Sequence, residues 1–482
     1  MRSEAIQRVF GLLMMSFSLT LLPPIGVSLW YQDNELKVFL FALCFMLVVG
    51  SACWFPKRKA ERELFANDGF IITVLFWVTL SLVSALPFLF SPHLDFSQSV
   101  FEAISGFTTT GATVITGLDN LPPSILYYRQ QLHWFGGLGV IVFAIAVLPM
   151  LGIGGMQLYR AEAAGPLHDD KLMPRFKHVA MSSISVYIAL TVTCVLAYWW
   201  EGMSLFDAVG HSYATVATGG FSTHDASLGY FASPFIETTA IIFMALSSLN
   251  FAIHFIAWHR LKFDHYWYDE QGRVFILIVF VLITMTVGML LWEGVYTDFW
   301  TALRYGSFHL VSVISTTGFT TTDFSAWPPF IVVLVFGSGF IGGCLGSTAG
   351  GFRVIRLLLL HKQAMRGIMR LIHPKAVIVI KVGQRRVSNE VAETVWEFTV
   401  LYIGSLVLLS MLFLLVTHVD ILTAFSGVAT CLNMVGPGLG QVTSNFSGVN
   451  DAGLWVLSFT MLLGRLEIFT LLVVLTPAFW RS

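Results

Sequence analysis

Apolar runs of about 20 residues recur along this chain, and several are followed by apolar segments too short to cross a bilayer. Within hydrocarbon every backbone N–H and C=O must be bonded internally, so the long runs can only be helices. Irregular backbone at that depth is tolerated only where it is buried in protein or lines water. Charged residues make up 11% of the chain and the mean hydropathy is +0.76, whereas a soluble domain carries roughly 25% charged residues. The chain therefore reads as an all-α polytopic membrane protein. Its first run, Val9 to about Leu29, has no small-residue cleavage site and is too long for a signal peptide, so it reads as a retained span.

Residues 1–65 form a transmembrane hairpin, Phe10–Leu29 outward with a kink expected at Pro23-Pro24, and Leu36–Phe55 back. From Gly69 onward one pattern repeats four times: a span, a short segment, a Gly/Thr strand, a polar loop and a second span. The short segments are Phe96–Phe107, Leu205–Thr215, Phe299–Ile314 and Ile421–Leu432, and the second spans are Ser124–Leu151, Phe235–Trp258, Phe330–Leu360 and Ala452–Phe479. The units occupy residues 66–155, 175–262, 270–372 and 388–482. Two spans per unit plus the hairpin predict ten crossings.

The strands are Ser105–Thr113, Thr215–Ser222, Ser315–Thr320 and Asn433–Gly438. Aligning Thr110-Gly111, Thr218-Gly219, Thr317-Gly318 and Val435-Gly436 spaces the glycines by 108 (219−111), 99 (318−219) and 118 (436−318) residues. The short segments must enter the membrane and turn back at mid-depth, which points their negative C-terminal dipoles at its centre. Glycine then lets the following strand turn its carbonyls to one side. Four such ends and four sets of carbonyls predict a site for a dehydrated monovalent cation. Asp207, Asp298 and Asp420 are the expected N-caps of three short helices. A lone TTG or ATGG in an apolar protein is usually a packing or turn glycine; four copies in the same context reverse that reading.

Of 27 Lys and Arg, 23 fall at the termini and in alternate loops (57–62, 160–177, 260–273, 353–386). The positive-inside rule places both termini and those loops in the cytoplasm. The opposite loops carry Asp33, Asp95, Asp119, Glu201, Asp225, Asp323 and Asp451, an acidic face that attracts cations.

These four glycine strands, the hairpin and the unit order resemble the Trk/Ktr/HKT superfamily of potassium transporters, most closely its TrkH branch, over nearly the whole chain. The resemblance implies a pseudo-fourfold, channel-like pore in a bacterial cytoplasmic (inner) membrane. Its single K⁺ filter would be built from Thr109, Thr110, Gly111, Ala217, Thr218, Gly219, Thr316, Thr317, Gly318, Met434, Val435 and Gly436. Glycine in all four strands is associated there with potassium selectivity, and serine in the first with sodium, so Gly111 implies potassium. The fourth strand, Met434-Val435-Gly436-Pro437, departs from the threonine pattern. The resemblance also implies a homodimer and a cytoplasmic, nucleotide-binding regulator of the TrkA type. The basic stretch Arg353–Arg386 would meet that regulator, or anionic lipid, which is the default reading of such a stretch.

Within the second span of the third unit lie Gly337, Gly339, Gly342, Gly343, Gly346, Gly350 and Gly351, with Ser347 and Thr348 between them. At about 1 kcal/mol per glycine relative to alanine, continuous helix is not expected. Close helix packing through small residues is one reading; a gate loop beneath the filter is the other, and the resemblance supports it. Gly337-Ser338-Gly339-Phe340-Ile341-Gly342 also matches GxGxxG, but no strand–helix unit surrounds it, so a dinucleotide site is rejected. Arg465, deep in the last span, predicts a positive barrier near that loop. A structural pairing with Glu467 is the other reading, although residues two apart on a helix do not face each other. Arg304 reads as structural, paired with a neighbouring acid.

The five cysteines form no CxxC pair and read as packing residues. No covalent cofactor, enzymatic activity or nucleic-acid partner is expected; K⁺ is the bound and transported ion. Two other classes remain in view. A symporter coupling K⁺ to H⁺ or Na⁺ could use the same scaffold. A membrane redox subunit would need haem ligands, for which His133, His254 and His309 are the intramembrane candidates.

Overall fold

The computed structural model describes residues 2–57, 66–91, 93–142, 172–262, 264–383, 385–477 and 479. Most of the basic cluster 57–62, residues 160–171 of the basic loop 160–177, Arg481 and the end of the first unit beyond Val142 lie outside the described residues.

The hairpin comprises α1 (Arg2–Ser18), a 3₁₀ turn (Leu19–Leu21), α2 (Leu22–Tyr31) and α3 (Leu36–Trp54). The turn directly precedes Pro23-Pro24, which occupy the first turn of α2, where a missing N–H breaks no helical bond. A Cβ on Gly11 would lie 2.6 Å from the Gly50 carbonyl, so small residues let α1 and α3 cross closely. Asp33 pins the hairpin to the first unit by accepting the Ser124 N–H at 2.8 Å.

The first unit runs α4 (Ala66–Val83), α5 (Leu86–Phe90), α6 (Phe96–Phe107) and α7 (Pro123–Val142). The second contains α8 (Leu172–Trp200), α9 (Leu205–Val216), α10 (Pro234–Ser247) and α11 (Phe251–Arg260), followed by α12 (Asp264–Tyr268). The third has α13 (Glu270–Trp292), α14 (Phe299–Ile314), α15 (Pro329–Ser338) and α16 (Val354–Ile372). A two-stranded antiparallel ribbon, β1 (Lys381–Val382) and β2 (Arg385–Arg386), leads to the fourth: α17 (Asn389–Thr417), α18 (Ile421–Asn433), α19 (Asp451–Arg465) and α20 (Glu467–Leu475).

Six spans among the described residues are long and apolar enough to cross a membrane, rising to eight if two bent helix pairs count as one span each. The remaining expected crossings fall on α7 and on the interrupted path from α15 to α16. Trp30, Trp200 and Trp292 at the ends of three spans are exposed, as interface-anchoring rings are.

Each short helix, α6, α9, α14 and α18, packs against the first span of its own unit (α4, α8, α13, α17). Three also touch the second span of the preceding unit: α9 touches α7, α14 touches α10, and α6 touches α19. The units therefore run in order around one axis, four tandem repeats in pseudo-fourfold arrangement with the hairpin outside.

Three of the second spans are broken, two of them against expectation and the third, Phe330–Leu360, as its glycines predicted. Phe235–Trp258 divides into α10 and α11, bent by 101°. Asn250 caps the second half by accepting the Ala252 N–H at 2.9 Å, and the Ser248 carbonyl freed by the bend accepts from Cys344 at 2.8 Å. Ala452–Phe479 divides into α19 and α20, bent by 111°, and Glu467 at the bend has φ +51°. Phe330–Leu360 is helical only up to Ser338 and again from Val354. One N-cap expectation is also corrected. Ser204, not Asp207, caps α9, its hydroxyl accepting the Asp207 N–H at 3.1 Å. Asp298 and Asp420 do cap α14 and α18, accepting from Thr301 and Thr423 at 2.8 and 3.0 Å.

Candidate ion-conduction site

All four short helices end in the same way. The N–H of Thr110, Gly219, Thr317 and Val435 returns to the carbonyl of Ser105, Ala214, Ser312 and Thr430, at 2.9, 2.8, 2.9 and 2.9 Å. This six-to-one bond requires the preceding residue to be left-handed, and Thr109, Thr218, Thr316 and Met434 have φ of +55°, +53°, +58° and +59°. A non-glycine residue there costs about 1–2 kcal/mol, so the surrounding protein must hold four such residues in place.

Two residues on, φ turns positive again at Gly111, Gly220, Gly318 and Gly436 (+82°, +82°, +80° and +94°). The second strand is therefore shifted by one from the sequence alignment. Its counterpart of Thr109-Thr110-Gly111 is Thr218-Gly219-Gly220, not Ala217-Thr218-Gly219. Ala217 is the helix cap, equivalent to Thr108.

These glycines close the ring. A Cβ on Gly111 would overlap the carbonyl oxygen of Gly219, one on Gly220 that of Thr317, and one on Gly318 that of Val435; one on Gly436 would come within 3.0 Å of the Thr110 oxygen. Unit 1 thus abuts unit 2, 2 abuts 3, 3 abuts 4 and 4 abuts 1, each through a glycine against a neighbour's carbonyl. A cavity of about 100 Å³ opens beyond the ring, lined by all four of these glycines together with Arg129 and Asp225. The symmetry is imperfect. Thr108 and Thr110 share a hydroxyl contact of 2.8 Å, as do Ser315 and Thr317, whereas strands 2 and 4 hold Gly219 and Val435 at the matching position.

On the other side of the ring lies the loop between α15 and α16. It meets the left-handed residues of the strands almost one by one. The Thr348 hydroxyl donates to the Val216 carbonyl at 3.0 Å and lies 3.3 Å from the Thr218 hydroxyl. The Gly350 N–H donates to Thr316 Oγ1 at 2.7 Å, and the Gly351 N–H to the Asn433 carbonyl at 3.0 Å. Gly350 also packs on Met434, where a Cβ would come within 2.7 Å of the methionine methyl. Gly342 needs its freedom (φ +69°) because a side chain there would strike the Gly350 backbone. Gly343 and Gly346 pass their carbonyls to Val354 and Phe251 at 3.1 Å each. Ser347 turns inward to the Cys344 carbonyl at 2.6 Å. Gly337 and Gly339 lie at the end of α15, where Gly339 packs near Val313 and Val435 while a Cβ on Gly337 would meet nothing within 4 Å.

Arg465 completes the contact. It is buried, donating from Nη2 to Thr109 Oγ1 at 2.5 Å and from Nη1 to the Thr348 carbonyl at 3.3 Å, with Met434 Sδ at 3.5 Å. Glu467 does not pair with it. Glu467 lies 2.7 Å from Arg356 and 3.3 Å from Arg353, so it ties the bend between α19 and α20 to the exit of the loop. Arg353, at φ +74°, is the residue where that loop re-enters helix. Removing one member of a buried ion pair costs about 3–5 kcal/mol. Glu467→Gln, which strands two guanidiniums, is accordingly expected to lower the thermal unfolding midpoint of the purified protein well below that of the parent.

Residues 35–481 match the TrkH family model, described as a cation transport protein. The chain belongs to the TrkH family. It is 48% identical over 484 residues to the Trk system potassium uptake protein TrkH of Escherichia coli strain K12, with 100% of both chains covered. To TrkG of the same strain it is 39% identical, with 99% of each covered. Among solved structures it matches the crystal structure of the potassium transporter TrkH from Vibrio parahaemolyticus at 45% identity and TM-score 0.92, again over 100% of both chains.

Sequence reasoning did not find the polar side chains that stand behind the ring in this TrkH-family protein. The corrected register steps of 109, 98 and 118 residues (220−111, 318−220, 436−318) carry Glu102 onto His211, His309 and Gly427. The first three each reach the strand beyond their own glycine. Glu102 accepts from Thr113 Oγ1 and the Val114 N–H at 2.9 and 3.0 Å. His211 Nε2 meets Ser222 Oγ at 2.9 Å, and His309 Nε2 the Thr322 carbonyl at 2.9 Å. Period and position within the short helices were the available signal, but only after the register is set. The three histidines considered as haem ligands have both ring nitrogens engaged by protein. His133 meets Gly106 O and the Phe221 N–H, His254 meets Tyr266 and Leu246, and His309 meets Tyr305 and Thr322. Among the described residues no cluster of three or more His, Cys, Asp or Glu could hold a metal ion. Arg304 pairs with Glu237 through two bonds of 2.6 Å, joining α14 to α10 across the seam between units 2 and 3.

Proposed function

We propose that this protein takes up potassium across the bacterial cytoplasmic membrane through one carbonyl-lined filter. The closed ring of four glycines, each against a neighbour's carbonyl, carries this reading. Thr110, Gly219, Thr317 and Val435 supply carbonyls to the bare ion, with Thr109, Thr218, Thr316 and Met434 one step below. The potassium uptake activity named for TrkH of E. coli, nearly half identical over full length, supports the choice of ion. The acidic end, with Asp119 and Asp225 near the ring, faces outside, and both termini lie in the cytoplasm. The loop from Gly337 to Gly351 with Arg465 forms the gate, since it bonds to three of the four strands from below. The helix it leads into, α16, would transmit the state of a nucleotide-binding regulator docked on the cytoplasmic face of a homodimer.

Reconstituted flux of the parent and Gly111→Ser tests the filter. At φ +82° any side chain is strained, and a Cβ there overlaps the Gly219 oxygen. The serine should push strands 1 and 2 apart and lower the preference for K⁺ over Na⁺. An unchanged preference would refute the carbonyl filter.

A further inference from the structure

At the seam between units 1 and 2 a buried Arg–Glu pair bonds to both strands; among the described residues the Arg304–Glu237 pair at the next seam joins helices and makes no such bond to the strands. Arg129, on α7, and Glu102, on α6, are both wholly buried and form an ion pair of 2.8 Å. The guanidinium does more than neutralise the acid. Its Nη1 donates to the Ser222 carbonyl at 3.1 Å, and its Nη2 to Thr113 Oγ1 at 3.1 Å. Its plane lies 4.2 Å from the centre of the Phe221 ring. Thr113 and Ser222 are each two residues beyond their register glycines, Gly111 and Gly220. One planar fork therefore grips the same point on two neighbouring strands.

Thr113 is held by further bonds. Its hydroxyl donates to Glu102, and its carbonyl accepts from the Phe446 N–H, in the loop of unit 4, at 2.8 Å. The first strand is thereby held to units 1, 2 and 4 at a single residue. Ser222, in turn, is held by Arg129 through its carbonyl and by His211 through its hydroxyl.

We infer that Glu102 and Arg129 are positioning residues that set ion specificity, by fixing the spacing between the carbonyls of strands 1 and 2. This inference rests on the filter reading given above. The pair acts through Thr113 and Ser222: Glu102 lies behind the strands, and Arg129, which borders the cavity beyond the ring, bonds to both strands from there. Where K⁺/Na⁺ discrimination rests on fit, it depends on how closely the carbonyls are held to the larger ion's spacing. Lysine in place of Arg129 retains the charge that Glu102 needs but loses the fork, because an ammonium is a point charge and not a planar pair of donors. Arg129→Lys should thus keep the buried pair while releasing at least one strand.

The test is the K⁺/Na⁺ permeability ratio of the full-length protein in liposomes, measured for the parent, Arg129→Lys and Glu102→Asp. We expect K⁺ flux to persist in Arg129→Lys while the ratio drops by about tenfold, the size of one lost charge-assisted hydrogen bond. Glu102→Asp, which shortens the acid but keeps the guanidinium, should give a smaller drop. Parent-like ratios in both variants, with K⁺ flux retained, would overturn the inference while leaving the filter reading intact; a parent that does not prefer K⁺ would overturn the filter reading itself. Should either variant prove too unstable to conduct, the thermal shift of the detergent-solubilised protein in KCl against NaCl gives the same comparison. An undiminished K⁺-specific shift in Arg129→Lys would likewise overturn the inference.

Discussion

Replacing Gly220 with alanine is expected to abolish potassium flux, with a loss greater than about a hundredfold. The new methyl would sit at φ +82° and inside the van der Waals radius of the Thr317 carbonyl oxygen. Backbone cannot swing aside as a side chain can, so the ring must open at the seam between units 2 and 3. Gly117 is the control for backbone strain alone. Its φ is +74°, but a Cβ there meets nothing within 4 Å, so Gly117→Ala should cost only about 1–2 kcal/mol of stability and leave flux intact. Gly219→Ala separates the two registers. Its Cβ would meet the His133 ring at 2.5 Å, a side chain and not backbone. Adding His133→Ala to Gly219→Ala should recover part of the flux, whereas adding it to Gly220→Ala should recover none. Equal tolerance of Gly220→Ala and Gly117→Ala would contradict the ring.

On the proposed gate, Arg465→Ala is expected to raise unstimulated flux by about tenfold or more, the effect of losing one or two charge-assisted bonds between the loop and the first strand. The guanidinium bridges Thr109 of the first strand and Thr348 of the loop. Without it, the loop keeps its bonds to Val216, Thr316 and Asn433 but is no longer attached to strand 1, and a positive charge leaves the path. Measuring liposome flux without any regulatory partner isolates this effect. Flux equal to the parent's would remove Arg465 from the gate. Lysine at 465 should be intermediate, as it keeps the charge and cannot make both bonds at once.

Much of this architecture was legible because membrane solvation leaves few options. Segments of 12 to 16 residues, such as Phe96–Phe107 and Phe299–Ile314, cannot cross, so their re-entry followed from length alone, and the crowded glycines after Ser338 marked the interrupted helix. The register of the second strand was not legible from the dipeptide Thr218-Gly219, because two glycines stand side by side there and a threonine–glycine match favours the wrong one. Gly220-Phe221 against Gly318-Phe319 was the better signal, since the residue after the glycine packs behind the ring in both. The breaks at Ser248–Asn250 and Leu466 carried no proline or glycine cluster. What ends those helices is tertiary: the Ser248 carbonyl is claimed by Cys344, and Glu467 by two arginines from another unit. The Glu102–Arg129 pair joins residues 27 apart on two different helices, beyond any local spacing rule.

Arg465 reaches Thr109 and Thr348 beneath the ring as a single copy. In a pore assembled from four identical subunits, any residue present once in the gene is present four times around the axis. Four guanidiniums converging on one constriction would repel one another and compete for the same acceptors. Covalent fusion of the repeats removes that obligation. A cap, a tether or a charge can be installed in one quarter and omitted from the rest, and each can be altered by one codon without touching the other three.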